Sequence, residues 1–150
     1  MAYADHVNEA LWNERYDWLR KTEETEAGVW GSLFLSPHGT LLSYDVEIAF
    51  CAGAWLSVIV LAHAAIDATI RDMGSGDYES NSMKVFGEDE DLQWLRRLRN
   101  QLVHVSNPDS PKALPEEAEN DVAAYQESLE PSARRAVALM FRNIYANKGT

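Results

Sequence analysis

An arginine, an asparagine and a histidine fall within six consecutive residues, at Arg99, Asn100 and His104. The guanidinium is a permanent cation whose planar fork of donors matches phosphate oxygens. The imidazole exchanges a proton near neutral pH. Asn100 stands four residues before His104, so on a helix the two side chains can touch, and the amide can orient the ring or a phosphate. Together the three groups suffice for phosphate chemistry without a metal.

The elements that must hold these residues read as helical throughout. Residues 4–27 carry Val7, Leu11 and Trp18, with Trp12, Tyr16 and Leu19 beside them, at the spacing of an amphipathic helix that Gly28 and Gly31 end. Residues 29–42 hold Pro37 and Gly39 and are expected to be a packed connection. Ser43 is the expected N-cap of a long second helix over 43–73, with Asp45 and Glu47 in its first turns, followed by a polar loop over 74–87. The third helix is expected to start in Glu88-Asp89-Glu90-Asp91, where acids favour the positive end of the dipole, and to end near Val105 before Ser106-Asn107-Pro108. Pro115 opens a fourth helix and Pro131 a fifth, on which Ala133, Val137, Met140, Phe141, Ile144 and Tyr145 form a core stripe. The expectation is an all-α, single-domain, up-and-down bundle of four to five helices spanning residues 1–150.

Composition narrows the function classes. The formal charge of −11 repels a phosphate backbone and argues against general nucleic-acid binding. It is unevenly spread: residues 92–112 hold four basic side chains (Arg96, Arg97, Arg99, Lys112) against Asp109, a local balance of +3. Such a strip suits one selected phosphate-bearing partner. Cys51 is the single cysteine, so neither a disulfide framework nor a cysteine-based zinc site can form within the chain. That usage, with no basic-then-apolar leader at the N-terminus, points to the cytoplasm. Residues 49–66 lack a formal charge but contain Gly53, Ser57 and His63, run directly into Asp67 and Arg71, and lack basic flanks. They are expected to be the buried centre of the bundle, with no membrane contact.

On a helical wheel Trp94, Leu95, Leu98, Leu102 and Val105 form the core stripe of the third helix. Arg99 and His104 flank the opposite arc, with Arg96, Asn100 and Val103 between them. An aliphatic residue on that arc suggests a second surface over it. His63 and Asp67, one turn apart, are expected to make a polar contact inside the bundle, because no third ligand has suitable spacing. If the second and third helices are neighbours, Asp67 pairs with Arg99 or Arg96 and supports the site. No Glu-x-x-His occurs, which removes a di-iron bundle. The five tryptophans (Trp12, Trp18, Trp30, Trp55, Trp94) are scattered and are expected to anchor helix packing.

Arg99-Asn100-x-x-Val103-His104, closing a helix in a small helical protein, resembles the signature of the HEPN superfamily. Residues 59–68, an alanine-rich apolar stretch containing Asp67, are similar to that family's second helix. The likeness covers the helical order of most of the chain, with about six positions of motif grade. It implies a homodimer with the two signature helices facing each other, and metal-independent endoribonuclease activity of the kind found in toxin–antitoxin and phage-defence systems. The implied chemistry is attack by an RNA 2′-hydroxyl on the adjacent phosphate. His104 would shuttle the proton, Arg99 would stabilise the phosphoryl oxygens and Asn100 would orient the histidine or the phosphate. No cofactor and no metal is implied; an antitoxin protein is an implied partner. Two features depart from the pattern: Ser106 stands where several toxin members carry a tyrosine, and the chain is strongly acidic. The alternative is a non-catalytic dimeric HEPN-like module that binds a nucleotide or a protein, and below it a plain structural dimer.

Overall fold

The computed structural model describes residues 7–27, 36–73, 89–104 and 114–145. The expected loop over 74–87, the breaker at 106–108, Val105 and Trp30 lie outside them. The described chain is all-α, with no strand, and comprises α1 (Glu9–Ala27), α2 (Pro37–Ala52), α3 (Trp55–Met73), α4 (Glu90–Val103), α5 (Glu116–Asn120), α6 (Val122–Ser128) and α7 (Glu130–Ile144). These seven segments exceed the four to five expected because two expected helices are each broken once.

The first break lies inside the expected helix over 43–73. Gly53 adopts φ 78, a left-handed conformation open to glycine at little cost, and its N–H caps the carbonyls of Ala49 and Phe50. The Ala54 N–H reaches the Ala49 carbonyl at 2.9 Å, which closes the reversal and folds α3 back on α2. Ser43 is therefore not a cap; it is buried mid-helix and donates to the Thr40 carbonyl at 2.6 Å. The cap is Ser36, whose Oγ accepts from the Gly39 N–H at 3.0 Å, with Pro37 preset for the first helical turn. The second break is at Asp121, whose extended backbone ends α5 and whose carboxylate caps α6. After these divisions, no helix among the described residues is long and apolar enough to cross a membrane.

α3 is the central element and packs on α2, α7 and α4. Val58, Ile59, Ala62, Ala65 and Ile66 are fully buried, and each large aliphatic side chain among them contributes about 1.5–3 kcal/mol. α7 supplies the opposing stripe, with Ala133, Val137, Met140, Phe141, Ile144 and Tyr145 all buried as the spacing predicts. At the α1–α2 end, Trp18 stacks on Phe50 at 4.9 Å and Phe50 meets Trp55 edge-on at 5.3 Å. Gly39 of α2 lies against Thr69 and the Ala65 carbonyl of α3, so the absent side chain sets how closely these helices approach.

Candidate functional site

α4 carries the arginine-rich segment, and its N-terminal half is firmly held. Asp89 caps it, accepting from the N–H groups of Asp91 and Leu92 at 2.9 and 3.1 Å. Leu92 and Leu95 are buried against the core. Asp91 receives Arg135 at 2.9 Å and Arg142 at 3.4 Å from α7, and these arginines hold its carboxyl below the usual range. The Arg135 guanidinium also lies 3.9 Å from the Trp94 ring centre. Residues 96–104 extend from this anchor.

Arg99 and Asn100 are brought together: Arg99 Nη1 donates to Asn100 Oδ1 at 2.8 Å. The Nε of Arg99 is buried and has no hydrogen-bond acceptor among the described residues. The helical wheel placed Arg99 on a flank turned away from the bundle, but it is half-buried. The reason is its spacing from the true anchors, four residues past Leu95 and seven past Leu92, which continues the inward stripe. Trp94, Leu98 and Leu102 pack at the edge of the core instead.

On α3, His63 is half-buried and feels the charge of the α4 arginines. Burial and the Arg99 guanidinium push the His63 imidazole down to about 4, with Arg96 adding to them and Asp67 opposing. The ring is therefore neutral at physiological pH, and His63, Asp67, Arg96 and Arg99 form one electrostatic cluster across the α3–α4 contact. The chain order alone placed His63 only beside Asp67. Its link to Arg99 depends on the docking of two helices far apart in sequence.

His104 is not drawn into this cluster. It is the first residue past α4, with an extended backbone whose N–H reaches the Asn100 carbonyl at 3.0 Å. Its side chain is exposed and makes no hydrogen bond among the described residues. The four-residue spacing gives no ring-to-amide hydrogen bond, since the helix ends at Val103 and His104 has an extended backbone. Val103 itself is 41% exposed beside Asn100 and His104. Among the described residues, no three His, Cys, Asp or Glu side chains converge as a metal would require.

Compared with known protein families, characterised proteins and solved structures, the chain matches none of them.

Proposed function

We propose that the protein is a HEPN-like, metal-independent endoribonuclease that acts as a homodimer, with Arg99, Asn100 and His104 of two facing α4 helices as its site. The observation that carries the reading is the state of Arg99. Its guanidinium is oriented by Asn100 on a capped helix and retains a buried Nε donor without an acceptor among the described residues. Such a donor suits an anion. Exposed Val103, an apolar side chain beside two polar site residues, supports burial by a second copy.

In the proposed reaction the RNA 2′-oxygen bonds to the adjacent phosphorus as the bond from phosphorus to the 5′-oxygen breaks. The products are a 2′,3′-cyclic phosphate and a 5′-hydroxyl. The imidazole of one His104 takes the 2′-hydroxyl proton, and that of the second copy, protonated, gives one to the departing oxygen. Arg99 stabilises charge on the non-bridging oxygens, and Asn100 holds the guanidinium in place. Asp67 and Arg96 support the site from its edge. The expected setting is cytoplasmic, with an antitoxin-type protein as a partner.

Purified protein should cleave cellular RNA in EDTA to products with cyclic phosphate ends. Arg99→Ala and His104→Ala should each lower the rate about 10²–10³-fold, as loss of one charge-stabilising or proton-transfer group does. Intact RNA at high protein concentration, across structured and unstructured substrates, overturns the proposal. The second reading, a non-catalytic dimeric module for a nucleotide or a protein, is favoured because the exposed His104 ring makes no hydrogen bond to the Arg99–Asn100 pair. It would hold if His104→Ala dimerised and bound nucleotide normally while no RNA was cut.

A further inference from the structure

We propose that the outward face of α2 is a self-association surface, on which α2 of a second copy lies antiparallel, with Leu41 of each subunit against Tyr44 of the other. This surface is separate from the α4 site and stands whether or not the chain cuts RNA.

α2 is apolar on both sides. Its inner side buries Val46, Phe50 and Cys51 in the core, as a bundle helix should. The opposite side carries Pro37, Leu41, Tyr44 and Ile48, spaced four, three and four residues apart, which is the seam spacing of a two-helix coil. Leu41 is 67% exposed, Tyr44 52% and Ile48 59%. Helices that are apolar all round are buried ones, so this outer stripe is built to be covered.

Shape and charge together select a second copy as the cover. Pro37, Thr40, Leu41 and Tyr44 line a recess on this face. Their spacing of i, i+3, i+4 and i+7 is that of the four residues that form a hole for one side chain of a facing helix. When the second copy runs antiparallel with Leu41 opposite Tyr44, the Tyr44 ring of the partner subunit seats in this recess, and Pro37 lies opposite Ile48 at each end. The same register sets His38, at one margin of the seam, within reach of Asp45 of the partner subunit; both are exposed. A basic side chain thus meets an acidic one twice per pair. Asp72 holds His38 Nδ1 at 3.0 Å, so Nε2 can make this contact. At the other margin Thr40 faces Glu47 of the partner subunit, and no like charges meet. A parallel pair would set Asp45 beside Thr40 instead and pair no acid with a base. α2 and α4 are not packing neighbours, so two such interfaces on one subunit give a four-subunit assembly.

Sedimentation equilibrium of the full chain across the micromolar range tests this. A seam of 16 residues is about 24 Å long and smaller than the standard interface of about 800 Å² per partner, so association should depend on concentration. Leu41→Glu and Ile48→Glu, both at exposed positions, should raise the dissociation constant about 100-fold or more, because each charge enters the seam twice. The largest species should fall to half the wild-type mass with helical circular dichroism unchanged. Unchanged mass in both variants overturns the proposal. A wild-type chain that stays monomeric throughout also overturns it, and assigns the face to a different protein.

Disulfide formation reports the orientation. A mixture of Leu41→Cys and Tyr44→Cys subunits should cross-link faster than either variant alone, while the native Cys51 stays buried. Faster cross-linking within the single variants overturns the antiparallel register. Val103→Glu separates this surface from the α4 dimer. A mass halved by Leu41→Glu but not by Val103→Glu supports the α2 pairing and removes the α4 dimer; the reverse keeps the α4 dimer and removes this one.

Discussion

Gly39→Ala should destabilise the protein through a single identifiable collision. A Cβ built at position 39 runs into the Thr69 hydroxyl closer than any real side chain approaches, and stands 3.0 Å from the Ala65 carbonyl and 3.3 Å from Thr69 Cβ. Gly39 and Thr69 are both buried, and the Thr69 hydroxyl already donates to the Ala65 carbonyl at 2.8 Å. Relief therefore requires either that α2 and α3 part, at about 1–3 kcal/mol for overpacking, or that the hydroxyl gives up its buried bond, at about 1–3 kcal/mol. Alanine in place of glycine in a helix returns at most about 1 kcal/mol. The net loss is about 2 kcal/mol, or roughly 4–8 °C in Tm for a chain of this size. Thermal and urea denaturation of Gly39→Ala, Thr69→Ala and the double variant measure it. The double variant should lie within about 1 kcal/mol of Thr69→Ala alone, because the colliding hydroxyl is gone. Wild-type stability in Gly39→Ala, or no rescue by Thr69→Ala, would refute the close α2–α3 packing on which the placement of His63 and Asp67 depends.

Two further predictions concern the same pair of helices. Gly53→Ala places a side chain at φ 78 and 3.1 Å from an Arg15 nitrogen, and should cost about 1–2 kcal/mol by chemical denaturation; a neutral result would remove the left-handed turn as the cause of the α2–α3 reversal. Asp72 accepts the Ser36 hydroxyl and lies 3.0 Å from His38 Nδ1, and these hydrogen bonds, Ser36 first, hold its carboxyl below the ordinary 3.8. A depressed carboxyl stabilises the fold above its unfolded value and loses that contribution as pH falls through the folded one. The Tm difference between wild type and Asp72→Asn should therefore shrink as pH falls below about 4; parallel curves would show that the carboxylate contributes nothing.

Much of the fold was legible because the local signals agreed with the packing. The α7 stripe, Pro131 at its start and the acid-rich start of α4 follow from period and dipole chemistry, and the structure keeps all three. Gly53 misled because one glycine in an alanine-rich apolar run reads as tolerated within a helix. Its role emerges only with the capping bonds and the neighbouring Arg15, which donates to the Cys51 carbonyl at 3.1 Å. Pro37 and Gly39 read as breakers, whereas one starts α2 and the other lets α3 approach. On α4, residue types and spacing singled out Arg99 and Asn100, which a hydrogen bond joins, but not how far Arg99 is buried. That burial is set by which leucines anchor α4, and the influence of the α4 arginines on His63 is a tertiary fact that no local pattern contains.

The proposed composite site requires two α4 helices to meet across a symmetry axis. Cys51 is buried, so a cysteine introduced at exposed Arg97 can carry a spin label with little competition. Electron–electron distance measurements on Arg97→Cys homodimers should return a narrow separation of about 20–25 Å, roughly two helix diameters. A protein without inter-label coupling at high concentration, or with labels much farther apart, would place α4 outside any shared cleft and contradict the composite site.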